Sequence, residues 1–338
     1  MSQLRTRLAQ VSGATVLLAV GVVSLLSLPG CSSSNTDDNW PADRPTAPKV
    51  VVTFAPLACF AMNVAGDDAI VRNLLTTTGP HHFNPTDKDA KLVSKANILF
   101  VNGIGLEGDN PTKIKKGSGN KNLKIIELGA RIPENQLCEG SCTHDHGDGD
   151  DHHDHDHGKD PHIWLSPVFA ITMVEGIRDE LKIADPAHAA DYDRRAAEYV
   201  AKLKKLKEDG LALLKDKKDR KLVTFHDSMA YFAKAFDLDI VGVVQKNPGS
   251  EPSETQLKKL VNLCTNPERP VRVVCAEPQY SNSNAGTQLV KILKEKGVPD
   301  PVLVELDPLE TVSQDQLNAG WYEAKMRANL AALAEKMK

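Results

Sequence analysis

Lys221-Leu-Val-Thr-Phe-His-Asp-Ser-Met-Ala-Tyr-Phe-Ala-Lys-Ala-Phe236 passes from an apolar run to a helical pattern across two polar residues, His226 and Asp227. Residues 221–225 are apolar on both faces, as in a parallel sheet covered by helices. Asp227 is the expected N-cap of a helix over 228–236. The same step recurs outward from it. Lys49 to Phe54, Ile70 to Leu75, Asn97 to Asn102 and Lys124 to Leu128 read as strands before it. Asp239 to Val244, Val271 to Ala276 and Val302 to Leu306 read as strands after it. The pattern predicts an α/β fold of two lobes, each a parallel-type sheet flanked by helices.

Helix starts are marked by side chains that satisfy the first free N–H groups. Thr86 caps a helix running toward Lys95. Ser166-Pro167 opens one over Val168 to Leu181, and Ser253-Glu-Thr-Gln256 is a capping box for one to Leu263. Between the halves, Ala187 to Lys215 places Tyr192, Ala196, Tyr199, Leu203, Leu206 and Leu213 at helical spacing. That is one rigid helix of about 40 Å at 1.5 Å per residue, with Gly210 weakening its last turns. The cleft between the two lobes, where the strand ends of both sheets meet, is then bridged by a stiff link.

The ends divide the chain further. Residues 1–30 read as a signal peptide: Arg5 and Arg7, then an apolar stretch from Ala14 to Leu28 that is short for a membrane span. Leu28-Pro-Gly-Cys31 resembles a bacterial lipobox, which makes Cys31 the expected lipidation site. Residues 31–48 read as a flexible tether. The expected lobes are 49–186 and 217–338, with 187–216 as the linking helix and 138–159 as a His-rich disordered loop in the first lobe. The charge is nearly balanced, with 41 Lys and Arg against 45 Asp and Glu, and no basic patch points to nucleic acid. Six cysteines in an exported chain allow disulfides. Cys138 with Cys142, and Cys264 with Cys275, are the candidate pairs, both left open. Cys59 reads as a small core residue.

The histidines carry the chemistry. His144, His146, His152, His153, His155 and His157 lie among carboxylates with no apolar residue, an auxiliary low-affinity metal loop. The tract ends abruptly at Asp160-Pro-His-Ile-Trp-Leu-Ser-Pro167, where His162 stands between a proline and a tryptophan that can pack beneath it. Gly79-Pro-His-His-Phe-Asn-Pro-Thr86 puts His81 and His82 after a strand and before a capped helix. His226 repeats that placement, and ligands bind at this edge of open α/β sheets. His81 and His82 could instead be turn histidines bonded to backbone, and His162 a mere continuation of the tract, although the sharp change in composition at Asp160 argues against that. Asp307 ends the last strand and is the natural carboxylate, or else a plain turn residue; Glu277 is a rival at another strand end. His188, among polar residues, reads as solvent-facing. Imidazoles with a carboxylate suit zinc.

Several segments resemble the metal-binding solute receptors of ATP-driven zinc and manganese importers. They are Pro56-Leu57, Ala65-Gly-Asp67, Pro80-His-His-Phe-Asn-Pro-Thr86, Ala96-Asn-Ile-Leu-Phe-Val-Asn-Gly103, Leu106-Glu107, Asp160-Pro-His-Ile-Trp-Leu-Ser-Pro167, Phe225-His-Asp-Ser-Met-Ala-Tyr-Phe232, Glu251-Pro-Ser253, Ala276-Glu-Pro-Gln279 and Leu306-Asp-Pro-Leu309. The resemblance runs from Val50 to the C-terminus. It implies His81, His162, His226 and Asp307 as the ligands, with His82, Glu277 or water as alternatives at two positions. Ser166 stands where the family often has aspartate. A histidine at the third position implies zinc rather than manganese. The resemblance further implies a monomeric, membrane-anchored receptor at the cell envelope that docks on an ABC permease and its ATPase and breaks no bonds. A zinc hydrolase with three histidines and a metal-bound water is the alternative from another class, although no H-E-x-x-H is present. A metal-sequestering surface adhesin is a third.

Overall fold

The computed structural model describes residues 40–140, 158–245, 251–268, 270–280 and 283–338. The signal peptide, Cys31, Cys142 and all six histidines of the loop lie outside the described residues. Among those residues, no helix is long and apolar enough to cross a membrane.

All eight expected strands form, in two four-stranded parallel sheets. The first contains β1 (Lys49–Val52), β2 (Ile70–Asn73), β3 (Ile98–Val101) and β4 (Lys124–Glu127), in the order β2-β1-β3-β4. The second contains β5 (Lys221–Thr224), β6 (Asp239–Val243), β7 (Val273–Ala276) and β8 (Val302–Glu305), in the order β6-β5-β7-β8. The second order repeats the first, strand for strand. Strands such as Ile98–Val101 are buried throughout because helices cover both faces.

The crossovers are α1 (Ala55–Ala65), α2 (Asp87–Val93) and α3 (Asn110–Ser118) in the first half, and α6 (Ala230–Ala235), α7 (Glu254–Cys264) and α8 (Ala285–Glu295) in the second. The expected capping box of Ser253 with Gln256 is present, and the expected N-cap Thr86 makes a second one with Asp89. Two other caps differ from expectation. Ser166 precedes α4 (Pro167–Ala184), but its hydroxyl makes no capping bond; Pro167 alone sets the start. Helix α6 begins only at Ala230, because the chain after His226 first makes a tight turn in which the Ser228 N–H bonds the His226 carbonyl.

The long helix is α5 (Ala189–Leu214), 26 residues. Tyr192, Ala196, Tyr199, Leu203 and Leu206 are buried as expected, but Leu213 is exposed and Leu214 takes the inward position. Gly210 has a different role from the one expected. A Cβ there would meet Phe236 at 2.4 Å and Leu330 at 2.8 Å, so the glycine is the point of close approach for α6 and for α9 (Trp321–Lys336). Helix α5 packs on α4, α1 and α9, and α9 also reaches α1. One core therefore runs from the first sheet through these helices to one face of the second sheet. A smaller core, with Val223, Val274 and Leu289, lies under α7 and α8 on that sheet's other face.

This layout answers one cysteine question. Cys275 belongs to the large core and Cys264 to the small one, on opposite faces of β7, and both are buried free thiols. Alternation along the strand keeps them apart. Cys59 is buried in α1 as expected. The last part of the stretch expected as a tether lies against the body: Trp40 is buried and its indole donates to the Leu92 carbonyl at 3.2 Å.

Candidate metal centre

Three histidines and one carboxylate converge where the two sheets face each other. His81 sits in a one-turn 3₁₀ segment, Pro80–His82, between β2 and α2. Its neighbour His82 is exposed, so the site takes His81. His162 directly precedes a second such turn, Ile163–Leu165, ahead of α4. His226 leaves β5, and Glu310 follows β8.

Each buried imidazole is held by its Nδ1, which turns Nε2 to the centre. His162 Nδ1 donates to Asp160 Oδ1 at 2.7 Å, and the same oxygen accepts the His162 backbone N–H at 2.9 Å. Asn102 donates to the Pro161 carbonyl at 2.9 Å and Tyr231 to the Asp160 carbonyl at 2.7 Å, fixing that turn. Trp164 lies beside the ring, centroids 5.1 Å apart, as its place in the sequence suggests. His226 Nδ1 bonds Glu277 at 2.7 Å, and Glu277 also accepts the His226 backbone N–H at 3.1 Å. Glu277 thus lies on the far side of His226 from the centre. Its reading as a fourth ligand gives way to that of a support, of the kind that fixes ring orientation at metal sites.

Asp307 does not join the histidines. Its carboxylate pairs with Lys325 at 2.8 Å and accepts the Leu309 N–H at 2.8 Å. That second bond closes a turn in which Leu309, buried and with φ of 63°, takes a left-handed conformation. The turn brings in the next residue, Glu310. Its Oε1 lies 3.3 Å from His81 Nε2, 3.5 Å from His162 Nε2 and 3.3 Å from His226 Nε2. His81 and His162 Nε2 are 2.9 Å apart. Sequence reasoning missed Glu310, because nothing in its neighbours announces a left-handed turn at a leucine.

The three separations from Glu310 to the imidazoles are close to the edges of a coordination shell. Metal–ligand distances of about 2.0–2.1 Å give tetrahedral edges of about 3.3–3.4 Å. His226 Nε2 and Glu310 Oε1 are also buried with no hydrogen-bond partner, an arrangement that a bound cation would satisfy. Burial disfavours the charged form of both inner histidines. The carboxylates outweigh it: Asp160 and Glu310 push His162 up to about 9, and Glu277 and Glu310 push His226 up to about 10. Burial likewise works against ionised Glu310, yet the three imidazoles hold it well below the ordinary carboxylate range. Three of the four groups are almost fully enclosed, and His81 is the most open, at 23% side-chain exposure. His188 lies apart, half exposed and bonded to Asp185.

Residues 50–336 match the family described as zinc-uptake complex component A, periplasmic. A zinc-binding protein, AdcA, of Streptococcus pyogenes is 34% identical over 298 residues, 84% of this chain and 55% of that protein. The chain therefore spans about half the length of the first such relatives. The high-affinity zinc uptake system protein ZnuA of Bacillus subtilis is 29% identical, over 85% of this chain and 87% of its own. Among solved structures, the solute-binding protein FpvC of Pseudomonas aeruginosa, in complex with Mn2+, superposes with a TM-score of 0.71 at 26% identity, covering 86% and 98% of the two chains. By sequence over nearly its whole described length, and by a two-sheet fold shared with these proteins, the chain belongs to the zinc-uptake complex component A family.

Proposed function

We propose that this protein captures a single divalent transition metal, zinc first, with His81, His162, His226 and Glu310 as ligands, and delivers it to an ABC-type importer. The observation that carries the reading is the convergence from both sheets of four buried or half-buried donor atoms, all within 4.8 Å of one another. Four protein ligands fill a zinc shell, whereas catalytic zinc keeps a position open for water. That supports binding over hydrolysis. Zinc is cargo here, with the lobes 49–186 and 217–338 joined by 187–216. Relatives bear names of zinc-binding lipoproteins and periplasmic components, which supports a place at the cell envelope; attachment through Cys31 is the finer proposal. The permease, its ATPase, the monomeric state and the auxiliary loop from His144 to His157 belong to the same reading.

The test removes the loop first. Deleting residues 144–157 is expected to lower total zinc yet keep one tightly bound ion. His226→Ala in that background is expected to lose it, read by chelator competition. A tight ion that persists in His226→Ala would sink the assignment.

A further inference from the structure

Glu310 presents two oxygens, and the structure treats them differently. Oε1 faces the three imidazoles. Oε2 is turned away, accepting an N–H from Gln279 Nε2 at 3.1 Å. Gln279 follows Glu277 by two residues in the 3₁₀ turn Pro278–Tyr280 after β7, and the same Nε2 reaches Glu277 Oε2 at 3.3 Å. One amide therefore ties the carboxylate of the centre to the carboxylate that orients His226. Gly79 closes on Oε2 from the other sheet, where a Cβ would stand 3.2 Å away.

Gln279 also lines a surface pocket of about 260 Å³, open to solvent and bounded by Thr77, Asp307, Thr311, Gln316 and Lys325. It touches Glu310 on one side and this water-accessible space on the other. A carboxylate with both oxygens free can chelate a metal through two atoms, and a neighbouring water can add a further ligand. Both changes lead from four coordination toward the five or six that manganese prefers with oxygen donors.

We propose that Gln279 is a positioning residue that determines metal specificity: by holding Oε2 of Glu310, it restricts that carboxylate to one metal contact and keeps the shell four-coordinate. This rests on the reading of the four groups as a metal site. The amide donates but brings no charge, so it leaves the charge of the site unchanged. It acts on geometry, and geometry is where selection against manganese lies.

The test uses the full chain lacking residues 144–157, as wild type, Gln279→Met and Gln279→Glu, each checked for folding by its metal-free melting curve. Methionine keeps the volume without the donor; glutamate replaces the donor with a third carboxylate. Cobalt(II) reports coordination number through its visible absorption, intense when tetrahedral and weak when five- or six-coordinate. Wild type is expected to give the intense spectrum and both variants a weak one. Zinc affinity is expected to fall by about 10–100-fold, the usual span for losing a support of this kind, and manganese affinity by less, so that the zinc-to-manganese ratio drops. If a folded variant keeps the tetrahedral spectrum and the ratio, Gln279 has no such role. Glu310→Ala serves as the separate control. If it binds zinc as tightly as wild type, the metal-site reading itself falls, whatever Gln279 does.

Discussion

Asp307 and Glu310 stand three residues apart and do different things. Asp307 holds the left-handed turn at Leu309 and pairs with a half-exposed lysine, and Glu310 enters the centre. Glu310→Ala is expected to cut zinc affinity more than about a hundredfold, beyond the loss typical for supporting residues. Asp307→Asn keeps the oxygen that accepts the Leu309 N–H and loses only an exposed-rim ion pair, worth about 0–1 kcal/mol. It is expected to leave zinc affinity nearly unchanged. Titration of both variants against a competing chelator decides the matter, and equal losses would contradict the separation.

Proton competition belongs to the residue scale too. His81 and His162 face each other through Nε2 at 2.9 Å, so one of the two nitrogens carries a proton in the metal-free protein. With His162 and His226 raised to about 9 and about 10, their protonated forms strengthen the metal-free fold below about pH 6.5. That contribution is lost as pH rises through the raised values. Metal binding has the opposite sign, because zinc must displace the proton. Apparent affinity is expected to rise at least about tenfold per unit between about pH 6 and 8, with proton uptake by the buffer visible in calorimetry. An unperturbed imidazole would put this window lower, near its ordinary value; the buried carboxylates move it up.

At the scale of the element, α5 illustrates how a glycine can be read two ways. In an isolated helix, replacing Gly210 with alanine gains about 1 kcal/mol. In this protein the added methyl would press on Phe236 and Leu330, and overpacking costs about 1–3 kcal/mol. Gly210→Ala is therefore expected to destabilise, as measured by chemical denaturation; a stabilised variant would mean that α6 and α9 yield freely. The same contacts bear on motion. The core that joins α1, α4, α5 and α9 to both sheets leaves no bare hinge among the described residues. Bonds also cross near the site: a buried one from the Trp164 indole to the Pro308 carbonyl at 2.9 Å, and one from the Val312 N–H to the Thr76 carbonyl at 2.9 Å.

For the whole molecule, this predicts capture by local ordering instead of a wide swing. Zinc bound only to the folded form stabilises it by about 4 kcal/mol at a thousandfold excess over its dissociation constant. A large rise in melting temperature is expected, with no resolvable change in the radius of gyration by X-ray scattering. Slowed hydrogen exchange is expected at residues 76–83 and 307–313, while β3 and α5 stay as they were. A marked compaction on zinc addition would require a hinge that these contacts do not provide.

The eight strands, the capping box at Ser253, the N-cap at Thr86, the long helix and histidines for three of the four converging positions, with His81 and His82 still open between them, are legible in the sequence alone. Those features depend on neighbours: apolar runs, N-cap hydroxyls, and histidines at the ends of strands. The tertiary structure decided the rest. It chose Glu310 over Asp307 through the backbone of Leu309, gave Glu277 and Asp160 to the Nδ1 atoms, brought Gln279 against Glu310, and placed Cys264 and Cys275 on opposite faces of one sheet. None of these is a property of local spacing. Each depends on which way a side chain points once distant strands are paired, and that direction is fixed only when the two sheets pack.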